Sequence, residues 1–147
     1  MKKIIMGLSL ILAPLFVSAS DLIIKNGSLS VDATIAKIEK IVKSKKGMGV
    51  FTIIDHKASS NKVGLNLPDT KVIVFGNAKL GTKLMSRDHN VALDLPLKIL
   101  VYSDNGQTKM VYRDFKKWSK GFDLEGCKLV GKGINVLDMI TTKASHK

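Results

Sequence analysis

The densest group of residues that could do chemistry lies in the segment FGNAKLGTKLMSRDH, residues 75–89. Gly76 and Gly81 have the spacing of a loop that wraps a phosphate with backbone N–H groups. Such a loop continues with lysine and then serine or threonine. Here the order is reversed to Thr82-Lys83, so the lysine cannot reach the phosphates in the usual way. The segment is therefore not a phosphate-binding loop of that kind.

Two interpretations of this segment stay open. In the structural one, Asn77 caps a turn over residues 78–81 and the glycines allow special backbone angles. In the functional one, Asn77, Lys79 and Thr82 contact a small ligand or anion together with free backbone N–H groups. We rank the turn first and the site second.

Asp55 and His56 follow a segment typical of a strand, where side chains often face a site. Adjacent strand residues point to opposite faces, so these two cannot form a catalytic dyad with each other. His56 is a structural histidine, a general acid–base or a metal ligand. Asp55 caps the next helix or acts as a base, and we favour the cap.

Asp94 lies between leucines, directly before a segment that we expect to be a buried strand. A carboxylate in that place must accept a hydrogen bond or stay in water. It either bonds to loop backbone or joins Asn77 and Thr82 in a pocket formed by residues 75–94. We predict that Asn77, Thr82 and Asp94 surround a common hollow together with His56.

Metal and covalent chemistry have weak support in the sequence. The metal-ligating types are His56, His89, Asp88, Asp94 and Cys127, without an HxxxH or CxxC spacing, so we predict no metal and no cofactor. The serines Ser59, Ser60 and Ser86 lack the context of a nucleophile elbow. The single cysteine excludes an internal disulfide, and we expect a buried or half-buried free thiol.

The chain carries 24 lysines and arginines against 12 acids, a net charge of +12. Only Arg87 and Arg113 are arginines, and the lysines are dispersed rather than clustered. Nucleic-acid readers usually need the planar fork of arginine and exposed aromatic rings. Nucleic acid is therefore an improbable partner, whereas a small anionic ligand is compatible with this surface.

Residues 1–19 have the pattern of a secretory signal peptide: a basic start, an apolar run and small residues ending at Ala19. A retained membrane anchor is the alternative. Cleavage would remove Lys2 and Lys3 and lower the net charge to +10. We expect bacterial export to the periplasm or medium, one domain over residues 20–147, and no later membrane span.

Hydrophobic periodicity predicts strands and helices in a mixed order. A helix begins after Ser30 and ends at Gly47, with Val31, Ile35, Ile38 and Val42 on one face. The other predicted elements are strands 21–25, 49–55, 71–76, 95–103 and 109–113, a turn at Asn26-Gly27, a short helix in 56–65, one helical turn or a loop at 77–85, irregular structure at 114–128, and a helix at 134–143. This order predicts an α+β fold with helices on one face of a mainly antiparallel sheet.

The predicted strands VFTII, VIVF and LKILVY carry apolar side chains on both alternating faces. A sheet with one face in water would show a polar residue at every second position. A partner subunit, the 77–95 segment or a ligand should therefore cover the second face. We favour a homodimer.

Four motifs, IDH (54–56), KVGLNL (62–67), FGNAKLGTKLM (75–85) and LDLPLKILVY (93–102), resemble the domain-of-unknown-function 302 (DUF302) family in order and spacing. Ala78 departs from the usual proline, and Arg113-Asp114-Phe115 departs from an N-D-P segment. The resemblance implies a β-α-β-β-β-β-α two-layer sandwich, similar to the TATA-binding-protein-like fold and often dimeric. It implies no reaction.

The sequence thus favours a noncatalytic domain that binds a small ligand or partner in a groove near residues 75–94. The candidate contacts are His56, Asn77, Lys79, Thr82 and Asp94. Two alternatives stay open. One is a small hydrolase or transferase with His56 as acid–base and Asp94 or Asp55 orienting it. The other is a structural, dimeric envelope protein.

Overall fold

The computed structural model describes residues 21–146, and within them one sheet packs against a layer of helices. The elements are β1 (Leu22–Gly27), α1 (Val31–Lys43), β2 (Gly49–Asp55), α2 (His56–Lys62), β3 (Thr70–Gly76), α3 (Ala78–Met85), β4 (Leu97–Asp104), β5 (Gln107–Arg113), α4 (Phe115–Trp118) and α5 (Lys128–Ala144). Short 3-10 turns lie at His89–Leu93 and Ser119–Gly121.

The sheet has the strand order β1-β5-β4-β3-β2, and every neighbouring pair is antiparallel. The first strand is followed by α1 and the chain closes with α5, which pack on each other and on the same face of the sheet. The predicted α+β fold with a β-α-β-β-β-β-α order is confirmed. The three short helices α2, α3 and α4 are additions to it.

Helix α1 begins after Ser30, as the sequence predicts, and ends at Lys43, four residues before the predicted end at Gly47. The Ser30 hydroxyl accepts a hydrogen bond from the Ala33 N–H, and Asp32 lies in the first turn, where a carboxylate suits the positive end of the helix dipole. Ile38 and Val42 are fully buried against the sheet. Burial of each such side chain stabilises the fold by about 1.5–3 kcal/mol.

The core lies between the helices and the sheet. Its large hydrophobic side chains with no exposed surface come from α1, from three adjacent strands, from the 3-10 turn and from α5: Ile38, Val42, Ile73, Phe75, Val91, Ile99, Val101, Met110 and Ile140. Because α1 and α5 are consecutive neighbours on this face, the core is one continuous layer.

Four other sequence predictions differ from the structure. Residues 114–128, predicted to be irregular, contain α4 and a 3-10 turn. Asn26-Gly27 is not a turn, since both residues pair with β5 and extend β1. Residues 78–85 form a two-turn helix rather than one turn or a loop. The last helix begins at Lys128, six residues before the predicted start at 134. Gly131 and Gly133 lower the helix propensity of that stretch, but tertiary packing overrides this preference.

The predicted signal peptide, residues 1–19, lies outside the described residues. Within residues 21–146 no helix has both the length and the apolar composition that a membrane crossing requires.

The face of the sheet opposite the helices carries a row of apolar side chains, one from each strand. The cross-strand pairs place the five side chains of this apolar row side by side: Ile24, Val111, Leu100, Val72 and Ile54. Its two ends stay exposed, at 56% for Ile24 and 42% for Ile54. The 77–95 segment instead contributes Leu84 and Val91 to the core on the helix face. The predicted second apolar face is therefore present.

We predict opposite effects of alanine at the two α5 glycines. A Cβ on Gly133 would lie 2.5 Å from Cε1 of the buried Phe115, whereas a Cβ on Gly131 would meet no atom within 4 Å. Gly133→Ala should lower the free energy of unfolding by about 1–3 kcal/mol through overpacking. Gly131→Ala should raise it by up to about 1 kcal/mol through helix propensity. Urea unfolding measures both, and equal stabilities of the two variants would contradict this packing.

Candidate functional site

An apolar cavity of about 360 Å³ opens between α3, the start of β4 and the first turns of α5. Its walls are mostly aliphatic and aromatic: Met48, Phe51, Leu80, Leu84, Met85, Leu95, Pro96, Leu97, Phe115, Leu129 and Val136, with Gly76, Asn77, Ala78, Gly81, Thr82, Lys132 and Gly133 completing the lining. Ligand sites of proteins usually have this character and measure about 300–1,000 Å³.

Helix α3 forms one wall of the cavity, and Asn77 fixes where that helix starts. The Asn77 side-chain oxygen accepts a hydrogen bond from the Leu80 N–H at 3.1 Å. Its amide nitrogen lies 2.7 Å from the place that a Cβ on Gly47 would occupy, and Gly47 has a φ of +78°. Glycine is thus required at position 47 for both reasons. The predicted cap at Asn77 is confirmed.

Helix α5 forms the facing wall. Leu129, Lys132, Gly133 and Val136 recur at spacings of three and four, which places them on one face of the helix, toward the cavity. Gly133 lets the Phe115 ring approach the helix backbone. Lys132 is exposed and, among the described residues, is the one ionisable side chain in the cavity lining.

The mouth of the cavity is shaped by an irregularity in β2. The register of β2 against β3 shifts between Val50 and Thr52, which is typical of a β-bulge. The Phe51 side chain between them is 59% exposed and lies beside Gly76 and Pro96 at the end of β3 and the start of β4. The bulge thus places an aromatic ring at the cavity edge.

Asp94 lies in a different, smaller cavity of about 270 Å³, with Arg113 and Trp118. One carboxylate oxygen accepts a hydrogen bond from Trp118 Nε1 at 2.8 Å, and the other lies 3.7 Å from Arg113 Nε. Leu97 and Phe115 line both cavities and therefore form the wall between them. The expected hydrogen-bond partner of Asp94 exists, but it is an indole N–H instead of loop backbone.

His56 lies at the far end of β2. Gly49 pairs with Gly76 beside the cavity, and Asp55 pairs with Lys71 six residues further along β2. At about 3.3 Å per residue the two ends are about 20 Å apart. His56 is exposed, and its side chain forms no hydrogen bond or ion pair within residues 21–146.

Asp55 caps α2, as the sequence predicts. Its carboxylate accepts a hydrogen bond from the Ala58 N–H at 2.8 Å and pairs with Lys71 at 3.1 Å. The backbone hydrogen bond and then Lys71 hold the pKa of Asp55 below its ordinary value. The hydrogen bonds to Asp32 and Asp55 raise the pKa of Lys71. Both groups thus stay charged around neutral pH, and neither is suited to proton transfer there.

The predicted common hollow is wrong as a single site. Of the five candidate contacts, Asn77 and Thr82 line the larger cavity, Asp94 lines the smaller one, and His56 and Lys79 line neither. The error has a geometric cause, because His56 follows the end of β2 that points away from residues 75–94.

The sequence did not predict that α5 forms a wall of the cavity or that Phe51 lies at the cavity mouth. Leu129, Gly133 and Val136 repeat at helical spacing, a signal that was present but obscured by two glycines. No sequence signal identifies Phe51 as a mouth residue, because a bulge depends on the pairing of two strands.

The groups considered for metal binding are dispersed. Asp88 accepts hydrogen bonds from the Asn90 and Asp123 N–H groups, which lower its pKa. Cys127 is half-buried at the start of α5. Over residues 21–146 no three His, Cys, Asp or Glu side chains are grouped so that they could hold a metal ion.

We predict that Asp94 supports the fold through Trp118. Asp94→Ala leaves the indole N–H of a nearly buried Trp118 without its partner and should lower the free energy of unfolding by about 1–3 kcal/mol. Asp94→Asn keeps an acceptor oxygen and should lower the free energy of unfolding by a smaller amount. Denaturant unfolding measures both against His56→Ala, which should stay within about 0.5 kcal/mol of the parent. Equal losses in the two Asp94 variants would argue against this hydrogen bond.

Comparison with known proteins gives relatives that match about half of this chain and a solved structure that matches most of it. The fluoride-specific ion channels FluC 1 of Brucella suis and FluC 1 of Brucella abortus are each 44% identical to this chain over 75 residues, 51% of its length. The match spans 29% and 27% of those proteins, so the chain corresponds to less than a third of each.

The solved structure of an uncharacterized conserved DUF302 protein from Bacillus stearothermophilus is similar in fold. It superposes with a TM-score of 0.75 over 86% of this chain and 99% of that one, at 18% identity. The family model described as "Domain of unknown function DUF302" matches residues 24–141. With the motifs, the five-stranded sheet and this match in agreement, the chain belongs to the DUF302 family.

Proposed function

We propose that this domain binds a small, mainly apolar ligand without transforming it. The observation that carries the proposal is the open cavity of about 360 Å³ between α3 and α5. Protein interiors are close-packed and contain few voids larger than a water molecule. An apolar hollow of this size, lined by the buried side chains of Leu84 and Phe115, therefore supports a binding role.

Catalysis through His56 has less support. A general acid–base pair needs the histidine within hydrogen-bond reach of a carboxylate. Asp55 is engaged with Ala58 and Lys71, and Asp94 with Trp118. The hydrolase or transferase alternative thus has no assembled pair around His56 in residues 21–146.

A structural envelope role is the second alternative. It predicts a filled cavity, whereas this one is open. Native mass spectrometry on protein from its own host separates the two roles, because a binder should carry a small molecule in part of the population. A dimer that is free of ligand and metal would favour the structural role.

The channel activity in the names of the Brucella relatives does not enter the proposal. The shared segment is less than a third of each channel protein, and a name that describes a whole protein need not describe that part. Export to the periplasm or medium remains part of the proposal because of the signal-like residues 1–19.

We predict that 1-octanol, a neutral apolar probe, binds in this cavity. In a ¹⁵N-HSQC titration, the amide signals of Gly76, Gly81 and Gly133 should shift, because these glycines line it. Gly81→Leu should weaken binding at least tenfold, since its side chain starts 3.8 Å from Leu95 and fills the space. Gly131→Leu is the matched control and should bind as the parent does.

An absence of shifts at millimolar 1-octanol would contradict the proposal, and so would shifts confined to the apolar row on the open sheet face. If Gly81→Leu unfolds, Leu80→Trp offers a second way to fill the same cavity from α3, because Leu80 is a half-buried wall residue. Loss of binding in either folded variant supports the cavity as the site.

We further propose that a second copy of the chain covers the open sheet face. On one side the apolar row is flanked by Asn26, Lys109, Tyr102 and Thr70, and on the other by a mixed set, Leu22, Arg113, Lys98, Val74 and Thr52. An apolar centre bordered by polar groups is the usual anatomy of a protein interface, and the first of these two sides has that character. A row that crosses all five strands favours a broad partner over a small ligand.

We predict that Ile54→Lys shifts the protein from dimer to monomer, because it would bury a charge at the interface. Leu93→Lys is the control, since Leu93 is 85% exposed and outside the row. Sedimentation velocity measures both. A monomeric parent, or an Ile54→Lys variant that stays dimeric, would contradict the interface.

A further inference from the structure

The cavity walls restrict what the ligand can be. Ten of the lining side chains are large aliphatic, thioether or aromatic groups, including Leu84, Met85 and Phe115. The polar lining groups are Asn77 and Thr82 in the α3 wall and Lys132 in the α5 wall. Asn77 already uses its acceptor oxygen to cap α3. Most of the ligand must therefore be hydrocarbon.

The volume of the cavity restricts the size of the ligand. An engineered 150 Å³ apolar cavity in another protein holds benzene, which has six carbon atoms, so about 25 Å³ serves each non-hydrogen atom. On that scale a cavity of about 360 Å³ holds about ten to fourteen non-hydrogen atoms. A medium-length chain or a bicyclic ring system fits, and a full-length lipid tail does not.

The charged side chain at the cavity rim restricts the chemistry of the ligand's polar end. Lys132 is exposed, lies on the cavity face of α5, and forms no ion pair within residues 21–146. Among residues 21–146, no Asp or Glu lines the cavity. An apolar hollow beside one unpaired cation attracts an anion, and an ion pair at an exposed lysine contributes at most about 1 kcal/mol, or about fivefold in affinity.

A single lysine matches a single negative charge. A phosphate monoester carries about −1.5 to −2 charges at neutral pH and is usually met by arginine forks or several donors. The part of the lining that residues 21–146 form contains no arginine. A carboxylate, with one charge and two acceptor oxygens, matches the single charge of Lys132, and the Thr82 hydroxyl is a further donor in the cavity lining.

We propose that the ligand is a monocarboxylic acid with a medium-sized apolar body, held with its hydrocarbon between α3 and α5 and its carboxylate at Lys132. This inference rests on the proposed binding function. It adds the chemical class of the ligand and the residue that selects it.

Three probes with the same eight-carbon chain test the class. Isothermal titration calorimetry at low salt should give the order octanoate, then 1-octanol, then octylammonium. We expect octanoate to bind about fivefold more tightly than 1-octanol, the gain of one partly exposed ion pair. The difference should shrink at high salt, because salt screens a rim charge.

Lys132→Gln should remove the preference for octanoate over 1-octanol and leave 1-octanol binding unchanged. Lys143→Gln is the matched control, because Lys143 is an exposed lysine at the other end of α5 and does not line the cavity. It should keep the fivefold preference. The comparison thus separates a local pair from the general positive charge of the protein.

The outcomes distinguish this inference from the function beneath it. If 1-octanol binds as tightly as octanoate, or if Lys132→Gln keeps the preference, the carboxylate class is wrong while apolar binding stands. If octyl phosphate binds much more tightly than octanoate, the monocarboxylate is also wrong. If octanoate, 1-octanol, octylammonium and octyl phosphate all fail to bind, the binding function itself is wrong.

Discussion

The contact between the Phe115 ring and the backbone of α5 determines how the two layers meet at the cavity end of the molecule. The ring lies so close to Gly133 that no other residue fits there without movement. It stacks on Trp118 at a centroid distance of 4.3 Å, and Trp118 in turn donates to Asp94. This series of contacts ties α5 and α4 to the segment before β4. Phe115, which lies in the wall between the two cavities, thus contacts α5 directly and is connected through Trp118 to the segment before β4.

The restraints on Phe115 and on α3 explain how the apolar cavity persists. Side chains around a void tend to relax into it, and the cost of the void depends on how far they can do so. Phe115 is restrained by stacking and by Gly133, and α3 is restrained at its start by Asn77. Because both walls are fixed at their ends, the space between them does not collapse.

The sequence was sufficient for most of the fold and for only part of the site. Apolar periodicity identifies α1 and the strands, because local pattern and tertiary burial agree there. Asn77 and Asp55 were predictable as caps, since a cap depends on a few neighbouring residues. The cavity depends on contacts between residues far apart in sequence, such as Phe51 with Gly76 and Phe115 with Gly133. A local pattern does not contain this information.

The two faces of the sheet can serve separate purposes without interfering. The large cavity is bounded by α3 and α5 on the helix side and by the ends of β3 and β4, and none of its lining residues belongs to the apolar row. A second copy seated on that row would leave α5 and its Lys132 in contact with solvent. Association and ligand entry would then be independent, and a variant that breaks one should leave the other intact. Under the proposed dimer, the same separation would account for the apolar character of both alternating faces, because one face buries the core and the other would meet the second copy.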